Sequence, residues 1–368
     1  PPIEELDLYT KKSGDEIVGQ LYNFTDKGDR NVSLRPEMTP TLARMAASHT
    51  RNYKKPIKWF SIPQLFRYER QQKGRLREHF QFNADIIGEE HLAADAELIA
   101  LLIDTLRDLK LTSDDFVVRL SSRSAWQDFF ENGGGQEKDA NDFYQIIDKL
   151  EREDPAVSGD KLAKLGFSLE QVNDFIESGQ PTDELAAILA NIEARGLGDF
   201  IKIDYRIIRG LAYYTGPVYE AFDKRGKFRA IAGGGRYDHL VKLVSGGKRD
   251  LPALGFGMGD VVLAELLKDR GLVPPLGQAL DAFVQIADES LRNASLGLVQ
   301  QLRQAGLATE YPLLKTKPDK QLKRALELNA KWLVTLDNPT QARVKNLKTR
   351  GEQTCLFDEV ARIAKANT

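Results

Sequence analysis

Cysteine is nearly missing from this chain of 368 residues, with Cys355 standing alone. A single thiol excludes an internal disulfide framework and fits a reducing compartment, so a cytoplasmic location is expected. Histidine is scarce too. His49, His79, His91 and His239 show no metal-ligand spacing with each other or with Cys355, which argues against a structural zinc site. No apolar run approaches the roughly 20 residues needed to cross a bilayer, and no secretory leader is read, so no membrane partner is expected. A Walker A pattern is absent, so any nucleotide is held by something other than a P-loop. "GGGRYD" and "GFGMGD" are rich in glycine, yet neither matches the dinucleotide fingerprint of a βαβ unit. Tight backbone approach beside a packed sheet explains them at least as well as phosphate cradling.

A large charge excess is also absent. The formal net charge is −2, so no overall basic field points to nucleic acid. The distribution is uneven, however. Residues 279–368 hold 14 Lys plus Arg against 10 Asp plus Glu, which makes the C-terminal part cationic by four and the rest anionic by six. That asymmetry is compatible with a C-terminal unit that meets phosphates.

The length accommodates two or three domains, each with its own core. A helix is expected over about 40–51, and "HLAADAELIALLIDTLRDL" repeats apolar residues at helical spacing, with acids at its start and Arg107 and Lys110 at its end. "DFVVRLSS" reads as a strand. From about 136 to 197 the texture changes to short amphipathic helices separated by turn signals, and strand-rich sequence resumes afterwards, so this stretch reads as a helical insertion. "VYEAFDKRGKFRAIAGGGRYD" gives two strands closed by an Asp-Lys-Arg-Gly turn. A helix from Asp260 to Asp269 is followed by the linker "GLVPPLGQ", residues 271–278. Beyond it, strands and helices alternate as in a small α/β domain over 279–368.

The most informative stretch is "LFRYERQQKGRLREHFQFNADII", Leu65 to Ile87. Read at a period of two, Arg75, Arg77, His79, Gln81, Asn83 and Asp85 fall on one side of a strand. Leu76, Phe80, Phe82, Ala84 and Ile86 fall on the other, with Glu78 the one misfit. In the preceding run Arg67 and Glu69 share a side opposite Phe66 and Tyr68, and residues 71–74 supply a turn ending in glycine. This is a β-hairpin with one apolar face and one face of arginines and hydrogen-bonding groups. A face needed only for solubility would favour mixed Lys and Glu. Further polar clusters sit in strand-like surroundings: Arg35, Glu37 and Thr39 in "SLRPEMTP", then Arg209, Tyr213, Tyr214 and Thr215 in "IIRGLAYYTGPVYEAF", then Arg236, Tyr237 and Asp238. Half-buried charge persists only when it is paired or when a ligand completes it. Several arginines with a few acids suit a ligand bearing phosphate, a carboxylate and an amine, because the planar guanidinium grips paired oxygens.

In this order, these clusters resemble a class II aminoacyl-tRNA synthetase, and among those the histidyl-tRNA synthetases. "FRYERQQKGRLREHFQF" is similar to the second class motif, "RGLAYYTGPVYE" to the histidine signature, "GGGRYD" to its companion and "LGFGMGD" to the third class motif. The resemblance runs from about Asp7 to the end of the chain. It implies an α+β fold: an antiparallel-sheet catalytic domain over 1–270 with the helical insertion, then a C-terminal α/β anticodon-binding domain over 279–368. It also implies a homodimer that joins L-histidine to tRNA(His) through histidyl-adenylate. By this resemblance Arg67 holds the α-phosphate of ATP, Glu69 reaches the adenine amino group, and Arg75 or Arg77 meets the terminal phosphates. Arg209 lies between the histidine carboxylate and the α-phosphate, so the implied catalytic pair is Arg209 and Arg67. Glu37 and Thr39 hold the ammonium group, Gln81 also contacts the amino acid, and Asp85, Tyr213 and Tyr214 read the imidazole. Mg2+ bridges the phosphates of ATP on ligands that the motifs do not name.

Two positions depart from the pattern. Ala212 stands where the histidine signature usually has Asp, and Val262 stands where the third motif usually has an arginine packed against ATP. A rival function follows, a catalytically silent regulatory subunit of ATP phosphoribosyltransferase. Chains of that kind usually lack the anticodon-binding domain and have a degraded histidine signature. This chain keeps the domain, together with Arg209, Tyr213 and Tyr214.

Overall fold

A computed structural model describes every residue except 14, 69–73, 151–152, 209–213, 275–279 and 367–368, without the side chains of 11–17 and 366. The chain divides into two compact units, Pro1–Val273 and Pro274–Thr368.

The first unit is built on a sheet of β4 (Ile57–Ser61), β5 (Gln64–Phe66), β6 (Glu78–Ile87), β7 (Phe116–Ser122), β8 (Ile201–Ile203), β9 (Pro217–Asp223), β10 (Ala232–Arg236) and β11 (Ala253–Gly259). Their order is β4-β6-β11-β10-β9-β7-β8, with β5 paired to β6. The pairings are antiparallel except for β7 with β8. A small sheet of β1 (Ile3–Glu5), β2 (Asn23–Thr25) and β3 (Asn31–Leu34) precedes it.

One face of the large sheet is apolar. Ala84 and Ile86 of β6, Val118 and Leu120 of β7 and Leu254 and Phe256 of β11 join one core with α3 (Ala93–Asp108). Each fully buried branched or aromatic side chain there contributes roughly 1.5–3 kcal/mol. The helical stretch shares this core rather than building its own: α4 (Arg123–Asn132), α5 (Ala140–Lys149), α6 (Pro155–Lys164), α7 (Leu169–Ser178) and α8 (Asp183–Ala194) feed Trp126, Phe143, Leu162, Val172 and Ile188 into it. Local signals set these helices. Asp154 caps α6 with Pro155 at its first position, a Ser168–Gln171 capping box opens α7, and Gly179 in the left-handed region closes it. The opposite face of the sheet is flanked by α1 (Asp7–Ser13), α2 (Thr39–Ser48) and α9 (Leu240–Val244), where Leu42, Ala46, Ile57 and Tyr237 form a second cluster. Last in the unit is α10 (Asp260–Asp269).

The second unit has a mixed sheet ordered β13-β12-β14-β15-β16, from β12 (Ala282–Gln285), β13 (Thr309–Glu310), β14 (Trp332–Asn338), β15 (Gln341–Asn346) and β16 (Glu352–Leu356). β12 is parallel to both neighbours, and β14, β15 and β16 are antiparallel. α11 (Arg292–Gln304) and α13 (Val360–Ala366) contribute Leu298, Leu302, Val360 and Ala364 to one cluster. α12 (Pro318–Glu327) contributes Ala325 to another.

Candidate functional site

The hairpin read from the sequence is present as β5 and β6, with Leu65 opposite His79 and the Arg67 amide bonded to the Arg77 carbonyl. The strand pattern starts only at Glu78, so the alternation expected from Arg75 onward fails in its first residues. Leu76 lines the same cavity as Arg75 instead of joining the apolar face.

From His79 onward the odd positions of β6 form a polar row. Gln81, Asn83 and Asp85 lie directly opposite Gly259, Gly257 and Gly255 of β11. The row continues with Gly233 and Gly235 of β10, and Gly233 in turn faces Glu220 of β9. Glycines on two adjacent strands thus leave a floor made of backbone. Two of them are dictated by close approach. A Cβ on Gly257 would stand 2.7 Å from Gln81 Cδ, and one on Gly255 would overlap the Asp85 carboxylate and sit 2.9 Å from the Ala84 carbonyl. The β11 glycines therefore make room for side chains arriving from β6, whereas Gly234 and Gly235 of β10 are hemmed in by the Gly255 and Pro217 carbonyls.

Above this floor is a cavity of about 580 Å³. The hairpin contributes Arg67, Arg75, His79 and Gln81, while β9 contributes Glu220 and Phe222. Arg206, Arg229 and, from α5, Asp148 complete its charged lining. Val261 and Val262 of α10 form an apolar wall, with a Val262 methyl 3.5 Å from where a Cβ on Gly74 would be. Arg67 is held by a 3.1 Å bond from Nε to the Pro36 carbonyl. Arg77 is not part of the lining; its guanidinium stacks 4.6 Å from the centre of the Tyr68 ring.

Farther along β6 the row becomes buried. Asp85 is 3% exposed and accepts a hydrogen bond at Oδ1 from the Tyr237 hydroxyl. Its Oδ2 has no partner among the described residues, and the same holds for Asn83 Oδ1. Burial raises the Asp85 pKa to about 7, against the lowering effect of the Tyr237 bond. Tyr214 packs in this region, its Cδ1 3.0 Å from where a Cβ on Gly235 would stand. Thr39 opens α2 and Glu37 lies just before it, both half-buried. Burial holds the Tyr9 phenol well above its ordinary range, opposed by the Thr41 hydroxyl and reinforced by the carboxylates of Glu4 and Glu37. Glu69, Arg209 and Tyr213 lie outside the described residues.

Arg236 has a different task. It pairs with Asp95 at the start of α3, both side chains being almost fully buried, and donates to the Glu89 carbonyl at 3.1 Å and to Asp238 at 3.3 Å. It fastens the end of β10 to α3. Sequence reading missed Arg206, Glu220, Arg229 and Asp148. For Glu220 alone a signal existed, since its place in the β9 alternation puts it level with Gly233.

A mainly antiparallel sheet with its core on one face and a glycine-floored cationic cleft on the other, followed by a separate α/β unit, is the build of a class II aminoacyl-tRNA synthetase. The family model described as histidyl-tRNA synthetase matches residues 1–260, and the chain belongs to that family. Among curated relatives, the histidine–tRNA ligase of Opitutus terrae is 44% identical, over 96% of this chain and 86% of its own length. The chloroplastic/mitochondrial histidine–tRNA ligase of Arabidopsis thaliana is 39% identical, over 91% of this chain and 72% of its own length. Among solved structures, histidyl-tRNA synthetase from Nostoc aligns over 100% of this chain and 90% of its own, with a TM-score of 0.79 and 24% identity. A protein from Bacillus halodurans described as an ATP phosphoribosyltransferase regulatory subunit/histidyl-tRNA synthetase aligns over 91% of this chain and 87% of its own, with a TM-score of 0.73 and 21% identity. At those identities the two structures speak to the fold alone.

Proposed function

We infer that this chain is a histidine–tRNA ligase, which activates L-histidine with ATP and transfers the histidyl group to the 3′ end of tRNA(His). The observation that carries the reading is the continuity of one polar row along β6. It runs from a cleft lined by arginines, where Gln81 stands, to a buried carboxylate with one oxygen unpartnered, Asp85.

In the first step a carboxylate oxygen of histidine attacks the α-phosphorus of ATP. The bond from that phosphorus to the bridging oxygen breaks, and pyrophosphate leaves with the bonding electrons. Negative charge builds on the phosphate oxygens, so preorganised cations supply most of the rate enhancement. Arg67 is the α-phosphate cation in this reading, its stem steadied by Pro36. Arg75 serves the outer phosphates, with Arg77 held back on Tyr68. Arg209 would steady the attacking carboxylate, and Glu69 would reach the adenine. Glu37 and Thr39 would hold the ammonium, with Gln81 beside the carboxyl end. Asp85, with Tyr213 and Tyr214, would read the imidazole through its N–H, since an unpartnered buried acceptor rejects a side chain that offers no donor. In the second step a hydroxyl of the terminal ribose attacks the carbonyl carbon of the adenylate, and AMP leaves.

Mg2+ fits as a passenger on the triphosphate. No group of three or more His, Cys, Asp or Glu side chains suited to a metal exists among the described residues, while Glu220 and Asp148 offer carboxylates on the cavity wall. Magnesium typically takes one or two carboxylates plus phosphate oxygens, and bound there it would neutralise the departing pyrophosphate.

The cationic second unit, with Lys320, Lys323 and Arg324 on α12, is proposed to bind the anticodon stem-loop through phosphates and stacked bases. A homodimer is proposed as well. Phe60 and Ile62, 73% and 62% exposed, mark the edge strand β4 and its exit as a face suited to a second copy. No helix among the described residues is long and apolar enough to cross a membrane.

The deciding experiment is ATP–pyrophosphate exchange with each of the twenty amino acids in turn. Stimulation by histidine alone is expected. No stimulation by any amino acid would favour the regulatory-subunit reading, and stimulation by another amino acid would change the substrate.

A further inference from the structure

The triphosphate of ATP brings close to four negative charges into the cleft, and α10 offers it no cation. The helix turns Val261 and Val262 toward the cavity, and Asp260, its one charged residue near that wall, accepts the Phe80 amide at 3.2 Å. Cations must come from elsewhere on the rim.

Four arginines line the cavity among the described residues: Arg67, Arg75, Arg206 and Arg229. Arg67 is tied through Nε to Pro36 and lies with Arg75 on the hairpin side. Arg206 stands 4.0 Å from Asp204, a buried carboxylate that also faces Arg119 at 3.6 Å and Lys202 at 3.7 Å. That local cluster sets the position of Arg206. Arg229 comes from the connection between β9 and β10, three residues before the glycine strand begins. It lines the cavity together with Glu220 and Phe222 of β9 and is exposed to solvent, unlike the buried Asn83 and Asp85. Its long stem and planar fork suit phosphate oxygens that protrude toward solvent.

We propose that Arg229 is a nucleotide-binding residue that grips the outer phosphates of ATP and provides the charge that the apolar α10 wall lacks. The proposal rests on the ligase reading and extends it to a residue outside the motifs. Because the contact is with the phosphates beyond the α-phosphate, its loss weakens ATP and leaves AMP nearly untouched. A positively charged replacement retains part of the function.

The test uses the full-length protein with Arg229→Ala, Arg229→Gln and Arg229→Lys. In histidine-dependent pyrophosphate exchange, the Ala and Gln variants are expected to raise the KM for ATP about ten-fold or more, as for one lost charge-assisted hydrogen bond. The KM for histidine should stay within about two-fold, and Lys should recover part of the loss, because it keeps the charge but not the planar fork. Calorimetric titration should show weakened ATP binding with AMP binding kept. An unchanged KM for ATP in Arg229→Ala overturns the proposal. So does equal weakening of ATP and AMP, or an equal rise in both KM values, since those would mark a general distortion of the cleft. If the unmodified protein shows no exchange with histidine, the ligase reading fails. Binding of ATP against AMP in the variants then still decides the role of Arg229.

Discussion

The Tyr237 hydroxyl donates to Oδ1 of Asp85, joining residues 152 positions apart inside a region closed to water, while Oδ2 is left without a partner among the described residues. The bond orients the carboxyl plane and leaves Oδ2 as the acceptor that the proposed function assigns to the imidazole. A buried carboxyl held in this way is costly to ionise, with its pKa raised from 3.8 to about 7. Folded protein therefore holds the Asp85 proton through a range in which unfolded chain has lost it. The sign follows directly: this group favours the fold below about pH 4, and that contribution drains away as pH climbs toward 7.

Asp85→Asn is accordingly expected to be more stable than the parent at pH 8, on the order of 2–4 kcal/mol, with the gap closing near pH 4. Histidine activation should fall by orders of magnitude in the same variant. Urea titrations at the two pH values measure the first effect and pyrophosphate exchange the second. An Asn variant less stable at pH 8 than at pH 4, relative to parent, contradicts this account of Asp85.

Gly257→Ala tests the floor. The added Cβ would stand 2.7 Å from the Gln81 amide, a flexible side-chain end that can swing away. The fold should therefore survive with a modest loss of about 1 kcal/mol, while activity drops at least ten-fold because Gln81 is displaced. Thermal unfolding and exchange kinetics on the same sample separate the two. A fully active Ala variant would falsify the role given to this glycine.

Arg236→Ala should act through stability. Removing one partner of a buried ion pair leaves the Asp95 carboxylate uncompensated at the start of α3, and such losses typically cost about 3–5 kcal/mol. The Asp95 pKa, already raised by burial to about 6 against the pull of Arg236, should rise further. A urea midpoint unchanged from the parent would refute the fastening role.

Removing residues 279–368 should impair charging of tRNA far more than activation of histidine, since every residue assigned to the proposed adenylate site belongs to the first unit. Parallel aminoacylation and exchange assays read the ratio. Equal losses would sink the anticodon-binding assignment.

Phe60→Glu places a charge on an exposed apolar edge and is expected to shift a dimer toward monomer. Light scattering across a concentration series measures that shift, and a dimer insensitive to this change would move the interface elsewhere.

The hairpin was legible in sequence because its signal is local: from His79 to Ile86 one period of two sorts polar from apolar, and the register carries it through unchanged. Before Glu78 the chain is not in regular pairing, so extrapolating the same period misassigned Leu76. The glycine stretches were visible too, but their purpose was not, because it depends on what packs against them: Gln81 and Asp85 against β11, neighbouring strand carbonyls against β10. Arg229, Arg206 and Asp148 were invisible for a related reason. They belong to separate segments of the chain, and only tertiary placement makes them neighbours. Arg236 shows the reverse: a cation in a recognisable signature, absorbed by a buried acid on α3 that no local pattern could pair with it.

The division of labour along β6 has an evolutionary corollary. Ala84 and Ile86 hold the fold together, while Gln81, Asn83 and Asp85, one step out of phase, form the polar row proposed to meet the ligand. Parity thus insulates the vocabulary of recognition from the grammar of stability. A descendant could acquire taste for another amino acid by rewriting alternate letters of a single strand, leaving the hydrophobic scaffold beneath it untouched.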